Sequence, residues 1–150
     1  MSTKQSKFSN NSYFMRLALM EARKALGNTK DNPAVGCIIV QNDCVISAAS
    51  TSKNGRPHAE HNAINFSRTN LNNSTLFSTL EPCSHYGKTS PCVKKIINNK
   101  IKKVFFSVMD PDPRSFNKSA KLFKKKRITF ITGIHSKEIS NFYRSYLIYK

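Results

Sequence analysis

Two apolar, β-branched runs, "VGCIIVQ" at 35–41 and "CVISAAS" at 44–50, are separated by only the two residues "ND". Strands joined that closely can pair only as an antiparallel hairpin. From there the pattern changes period. "HAEHNAINFSRT" reads as a helix from about His58 to Arg68, and "STLFSTL" as a strand. "SPCVKKIINNK" starts a helix with Ser90 as N-cap and Pro91 at the first helical position. "KKVFFSVM" is a strand that ends at the turn "DPDP". A helix over "SFNKSAKLFKKK", a strand over "RITFIT" and one final helix over "SKEISNFYRSYLIY" complete the chain. A hairpin followed by alternating helices and strands predicts an α/β fold, a layered sheet flanked by helices.

Ahead of the hairpin, "SYFMRLALMEARKALG" places Phe14, Leu17, Ala18, Ala22 and Ala25 at helical spacing, with Ser12 as cap and Gly27 as stop. Residues 1–11 are polar and predict a loose arm, leaving 12–150 as a single domain. That length suits one hydrophobic core. No apolar run approaches the roughly 20 residues of a membrane span, and the N-terminus lacks the apolar stretch of a signal peptide, so a cytoplasmic protein is expected. The net charge of +17 would suit a nucleic-acid partner. The lysines are scattered, apart from "KLFKKKR" at 121–127, and Asn, Ile and Phe are abundant too. Compositional drift explains this better, and no nucleic-acid partner is expected.

The chemistry gathers in "LEPCSHYGKTSPC" at 80–92, where Cys83 and Cys92 stand eight residues apart. A redox pair has two intervening residues, and structural disulfides are rare in the cytoplasm, so the two cysteines read as metal ligands. A catalytic zinc site takes three protein ligands and keeps one position open. His58, in "PHAEH", is the candidate third ligand. His58 and Cys92 both fall at predicted helix starts, where the helix dipole favours a thiolate. Pro57, Pro82 and Pro91 precede the three ligands and restrict the backbone that aims them. Glu60, two residues after His58, is better used as a proton carrier than as a fourth ligand. Zinc with an open position activates water, and a carboxylate beside it can move the proton, which is the logic of hydrolytic deamination. Lys88, in the loop between the cysteines, is placed to meet an anionic group on a small substrate. His61 reads as a helix-face residue, and Cys37 and Cys44 as small core residues of the hairpin.

The motifs "MRLALMEARKALG", "NPAVGCIIV", "GRPHAE", "TLEPCSHYGKTSPC" and "DPDP", in this order, resemble the deaminase half of the bacterial riboflavin-biosynthesis bifunctional deaminase/reductase family over about residues 13–134. The resemblance implies the cytidine deaminase-like fold, a three-layer α/β/α sandwich with a mixed central sheet. It implies conversion of 2,5-diamino-6-ribosylamino-4(3H)-pyrimidinone 5′-phosphate to the 5-amino-6-ribosylamino pyrimidinedione phosphate, with release of ammonia. Zn2+ would be held by His58, Cys83 and Cys92, with Glu60 as proton shuttle. Asn32, His85, Lys88 and Asp110 would contact the phosphorylated pyrimidine. Thr51 stands where the family usually has a histidine, and "FNKS" at 116–119 where it commonly has a glycine-rich turn. No reductase domain and no Gly-rich dinucleotide motif is read in the 150 residues, so a separate reductase is the expected pathway partner. Homo-oligomerisation is left open.

Two other readings compete. A nucleoside or nucleic-acid deaminase would suit the charge, but such enzymes usually have two residues between the cysteines. A non-catalytic zinc-stabilised module partnering a reductase would have no use for Glu60.

Overall fold

The structure, a computed structural model, describes residues 3–148. The elements are α1 (Thr3–Ala25), β1 (Gly36–Gln41), β2 (Cys44–Ser50), α2 (Ala59–Phe66), β3 (Thr75–Leu80), α3 (Cys92–Asn98), β4 (Lys103–Val108), α4 (Lys118–Lys125), β5 (Thr129–Thr132), α5 (Ser136–Phe142) and α6 (Arg144–Ile148). The five strands form one sheet in the order β2-β1-β3-β4-β5. β1 runs antiparallel to both β2 and β3, whereas β3, β4 and β5 are mutually parallel. The short "ND" turn enforces the antiparallel hairpin; the crossover helices α3 and α4 let the later strands run parallel.

Alternation along β3 defines the layers. Ser78 points to α2, where its hydroxyl meets Glu60. Thr79 points to the opposite face, where its hydroxyl meets Tyr143. The α1 face is packed by aromatic rings: Phe14 lies 5.4 Å from Phe77, which stacks on Phe105 at 4.8 Å. On the other face Phe106 and Phe123 both pack against Phe130. The sheet is therefore mixed, α/β, and covered on both sides.

α1 meets β1 at unusually short range. A Cβ on Gly36 would lie 1.8 Å from the Ala18 carbonyl oxygen and 2.5 Å from the Ala22 nitrogen. Glycine on the strand and two fully buried alanines on the helix are what make this packing sterically possible.

Several expectations need correction. α1 extends back to Thr3, so 3–11 is helical rather than a loose arm, and Ser12 is internal rather than a cap. No Gly or Pro interrupts 3–25 to stop the helix. The Ser12 hydroxyl instead lies 2.7 Å from His135 Nε2. Residues 1–2 of that arm lie outside the described residues. The expected final helix is two, α5 and α6, which meet at Tyr143. Cys44 is exposed at the hairpin turn, unlike the buried Cys37. Among the described residues no helix is long and apolar enough to cross a membrane.

Candidate metal centre and active-site cavity

α2 begins one residue after His58, which holds extended backbone as its N-cap residue (φ −68°, ψ 161°). α3 begins at Cys92, with Pro91 as its N-cap residue rather than its first helical one (φ −58°, ψ 140°). The extended ψ of Pro91 delays the helix by one residue and puts Cys92 at its first position. There the Cys92 N–H has no helical partner. It donates to the Cys83 sulfur at 3.3 Å, and the Val93 N–H donates to the Cys83 carbonyl at 3.1 Å. Two helix starts and the loop after β3 thus deliver the three predicted ligands to one point.

Their ligand atoms all lie within 4.8 Å of one another. His58 Nδ1 is 3.6 Å from Cys83 Sγ and 3.5 Å from Cys92 Sγ. A tetrahedral zinc with bonds of about 2.3 Å to sulfur and about 2.0 Å to nitrogen has S···N edges of roughly 3.6 Å. One histidine and two cysteines at that spacing fit such an ion, with Nδ1 as the histidine's ligand atom. A side-chain hydrogen bond from the Cys92 thiol holds the Cys83 thiol down at about 4 against the opposing effect of burial, with His58 and the Cys92 backbone N–H adding to the depression. Cys92 is pushed up by that same bond, by burial and by Glu60. A cation bound between these sulfurs would favour the thiolate form of both cysteines.

Glu60 is the second residue of α2, in its first turn, and is 3% exposed. Its Oε2 is 3.6 Å from Cys92 Sγ, and its Oε1 accepts a 3.2 Å hydrogen bond from the Ser78 hydroxyl. Burial pushes the Glu60 carboxyl above its ordinary value, with His58 pulling it back. A buried carboxylate raised in this way is suited to both taking up and releasing a proton.

Asn32, His85 and Asp110 line one cavity with His58, Glu60 and Cys83. Asn32 Nδ2 donates to the Gly55 carbonyl at 3.0 Å, clipping the loop before β1 to the turn before α2. His85 Nδ1 is 3.0 Å from the Ser115 hydroxyl. Asp110 accepts the Asp112 N–H and the Tyr146 hydroxyl, both at 3.0 Å. Burial pushes the Asp110 carboxyl up. Lys88 differs: it is exposed and does not line the cavity, because the cysteine loop turns its 86–88 tip to solvent.

Other residues of the site escaped the sequence reading. Glu81, directly after β3, accepts the Asp110 and Asn117 N–H groups, each at 3.2 Å, and the Ser119 hydroxyl at 2.6 Å. It fixes the 110–119 loop, in which "FNKS" stands in place of the glycine-rich turn that the resemblance implies. His61 is buried rather than on an open helix face, and its Nε2–H donates to the Ser90 carbonyl at 3.0 Å, steadying the approach to Cys92. Ser78 had a visible signal, as a polar residue on the buried face of an apolar strand. Tyr146, on α6, had none. It stands in the wall between this cavity and a larger groove of ≈ 660 Å³ beside the 26–34 loop.

Comparison with known proteins agrees with this geometry. Residues 8–108 match the family model described as the cytidine and deoxycytidylate deaminase zinc-binding region. The chain is 37% identical over 134 residues to a diaminohydroxyphosphoribosylamino-pyrimidine deaminase of Buchnera aphidicola, covering 89% of this chain and 91% of that protein. It is 37% identical over 135 residues to the riboflavin biosynthesis protein RibD of Chlamydia trachomatis, covering 90% of this chain but 36% of that one. A solved Thermotoga maritima diaminohydroxyphosphoribosylaminopyrimidine deaminase/5-amino-6-(5-phosphoribosylamino)uracil reductase superposes with a TM-score of 0.87 at 35% identity, over 94% of this chain and 42% of that chain. The chain thus spans nearly all of one relative and well under half of the two longer ones. With a mixed five-stranded sheet, a His-Cys-Cys centre and a buried glutamate beside it, this chain belongs to the cytidine and deoxycytidylate deaminase family.

Proposed function

We propose that this protein is the zinc-dependent deaminase of riboflavin biosynthesis. Its substrate is 2,5-diamino-6-ribosylamino-4(3H)-pyrimidinone 5′-phosphate and its products are the 5-amino-6-ribosylamino pyrimidinedione phosphate and ammonia. The observation that carries this reading is the placement of Glu60, buried in the cavity and 3.6 Å from a sulfur of the ligand trio.

The exchange of an exocyclic amine for a carbonyl oxygen consumes one water and needs two proton transfers. His58, Cys83 and Cys92 would hold a zinc ion, and the chemistry it would supply there is the Lewis acidity that activates a water. Glu60 takes the proton from that water and passes it to the ring nitrogen beside the carbon under attack. The remaining hydroxyl proton goes by the same carboxylate to the departing amine. The C–N bond breaks and the carbonyl forms. Asn32, His85 and Asp110 offer the polar contacts that orient the ring. The names of the Buchnera and Thermotoga relatives support the substrate assignment, that of the Chlamydia relative supports the pathway, and the reductase half named in the Thermotoga protein supports a reduction as the next step. That reductase is supplied outside these 150 residues. The cytoplasm is the compartment that keeps such thiol ligands reduced.

Glu60→Gln is the direct test. The variant should bind about one zinc per chain and lose at least about a thousandfold in kcat, measured as ammonia released from the pathway substrate. Near-full turnover by this variant would refute the mechanism. Zinc binding by the native protein without ammonia from any pyrimidine would favour the non-catalytic module instead.

A further inference from the structure

The cavity is rich in carboxylates: Glu60, Glu81, Asp110 and Asp112 all line it. A phosphorylated substrate entering it meets like charge unless a cation is placed to receive it. Arg56 and Arg114 are the arginines in the wall. Arg114 is already occupied, since its Nε and one terminal nitrogen bond both oxygens of Asp112 at 2.6–3.1 Å. Lys88, which its place in the loop between the cysteines puts forward for an anion, is exposed and lies outside the wall.

Arg56 is held differently. One terminal nitrogen donates to the Thr89 hydroxyl at 3.3 Å. The guanidinium lies against Gly87, where an added Cβ would sit 3.2 Å from a terminal nitrogen and 3.7 Å from Cζ. Among the described residues no carboxylate forms an ion pair with it. The Thr89 bond uses one of five N–H donors, so the fork is anchored in direction while most of its capacity stays open. Arg56 is also two residues before His58, on the chain segment that delivers the first ligand. At Thr51, where the family usually carries a histidine, the hydroxyl is fully engaged. It accepts the Val35 N–H at 2.9 Å and donates to the Pro33 carbonyl at 3.1 Å, so it has no proton left for a substrate.

From this arrangement we infer that Arg56 binds the phosphate of the substrate and sets the preference for a phosphorylated over an unphosphorylated pyrimidine. The inference rests on the deaminase reading above. A planar fork matches a phosphomonoester through two parallel N–H···O bonds. The bond to Thr89 and the bare surface of Gly87 fix the plane of that fork before substrate arrives.

The test uses the zinc-loaded protein with Arg56→Met, Arg56→Lys and Lys88→Met. Ammonia release is measured from the pathway substrate and from its unphosphorylated ribosylamino counterpart. Arg56→Met should raise KM for the phosphorylated substrate by about tenfold or more with little change in kcat. It should leave KM for the unphosphorylated one unchanged, and Arg56→Lys should recover part of the loss. Zinc content and melting temperature should match the wild type. In parallel, calorimetry with ribose 5-phosphate against ribose reads the subsite without any turnover, and Arg56→Met should abolish the difference between the two probes. The inference is overturned if both substrates lose equally, if zinc content falls with them, or if Lys88→Met removes the phosphate preference and Arg56→Met does not. It is equally overturned if wild-type protein does not distinguish ribose 5-phosphate from ribose. If wild-type protein releases no ammonia from either pyrimidine, the deaminase reading fails, while the ribose 5-phosphate comparison still decides the role of Arg56.

Discussion

Ser78 and Glu60 form a small unit in which one hydroxyl adjusts one carboxylate. Glu60 is buried, which disfavours its charge, and the Ser78 hydrogen bond works against that by favouring the ionised form. Replacing Ser78 with Ala removes the only side-chain hydroxyl donating to the carboxylate among the described residues. The Glu60 pKa should then move further up. Proton abstraction needs Glu60 ionised, so the acid limb of kcat/KM against pH should shift to higher pH, by up to about one unit for the loss of one such bond. Activity on the alkaline side of that limb should be little altered. A limb that stays in place, or moves to lower pH, would show that the titration belongs to another group.

α1 and β1 depend on each other through a contact that excludes a single methyl group. An Ala at Gly36 would have its Cβ 1.8 Å from the Ala18 oxygen, and backbone on both elements would have to give way. Gly36→Ala should cost about 3 kcal/mol or more, read as a fall in melting temperature of roughly 6–12 °C. Near-wild-type stability would mean that α1 is free to lift off the sheet. The strength of local pattern explains which elements could be read from the sequence. The β2 hairpin arm could be read to the residue, because a two-residue turn and β-branched runs leave little alternative. The split of the last helix could not. It occurs where Tyr143 turns into the core toward Ala34 and Thr79, partners 109 and 64 residues away. The site divides along the same line. His58, Glu60, Cys83 and Cys92 carry types and spacings that only their chemistry explains. Glu81, His61 and Tyr146 act through partners distant in the chain, and the exposed position of Lys88 depends on how the cysteine loop turns.

At the scale of the whole molecule, two sets of bonds tie distant segments together, and they are independent of each other. One is a relay across the α1 face of the sheet. The Gly36 N–H donates to the Thr79 hydroxyl at 3.1 Å, and the Tyr143 hydroxyl donates to the Ala34 carbonyl at 2.9 Å. With its one proton so committed, Tyr143 accepts from Thr79 at 2.5 Å, and β1, β3 and the α5–α6 junction are joined in one chain. The other set is the metal centre, which would join the starts of α2 and α3 to the end of β3 on the opposite face. The aromatic core and the relay need no metal, so this fold differs from a zinc finger, whose structure appears only with the ion. Removing zinc with a chelator should therefore leave the far-ultraviolet circular dichroism and a cooperative melting transition in place, while abolishing ammonia release. Stability should still fall, because a ligand bound only by the native state contributes RT ln(1 + [L]/Kd), about 4 kcal/mol at a thousandfold excess over Kd. For a chain of this size that is a drop of roughly 8–16 °C in melting temperature, restored by adding back zinc. Complete unfolding on chelation would make the metal a structural requirement. An unchanged melting temperature, with zinc shown to have left, would mean that the ion contributes nothing to holding α2 and α3 against the sheet.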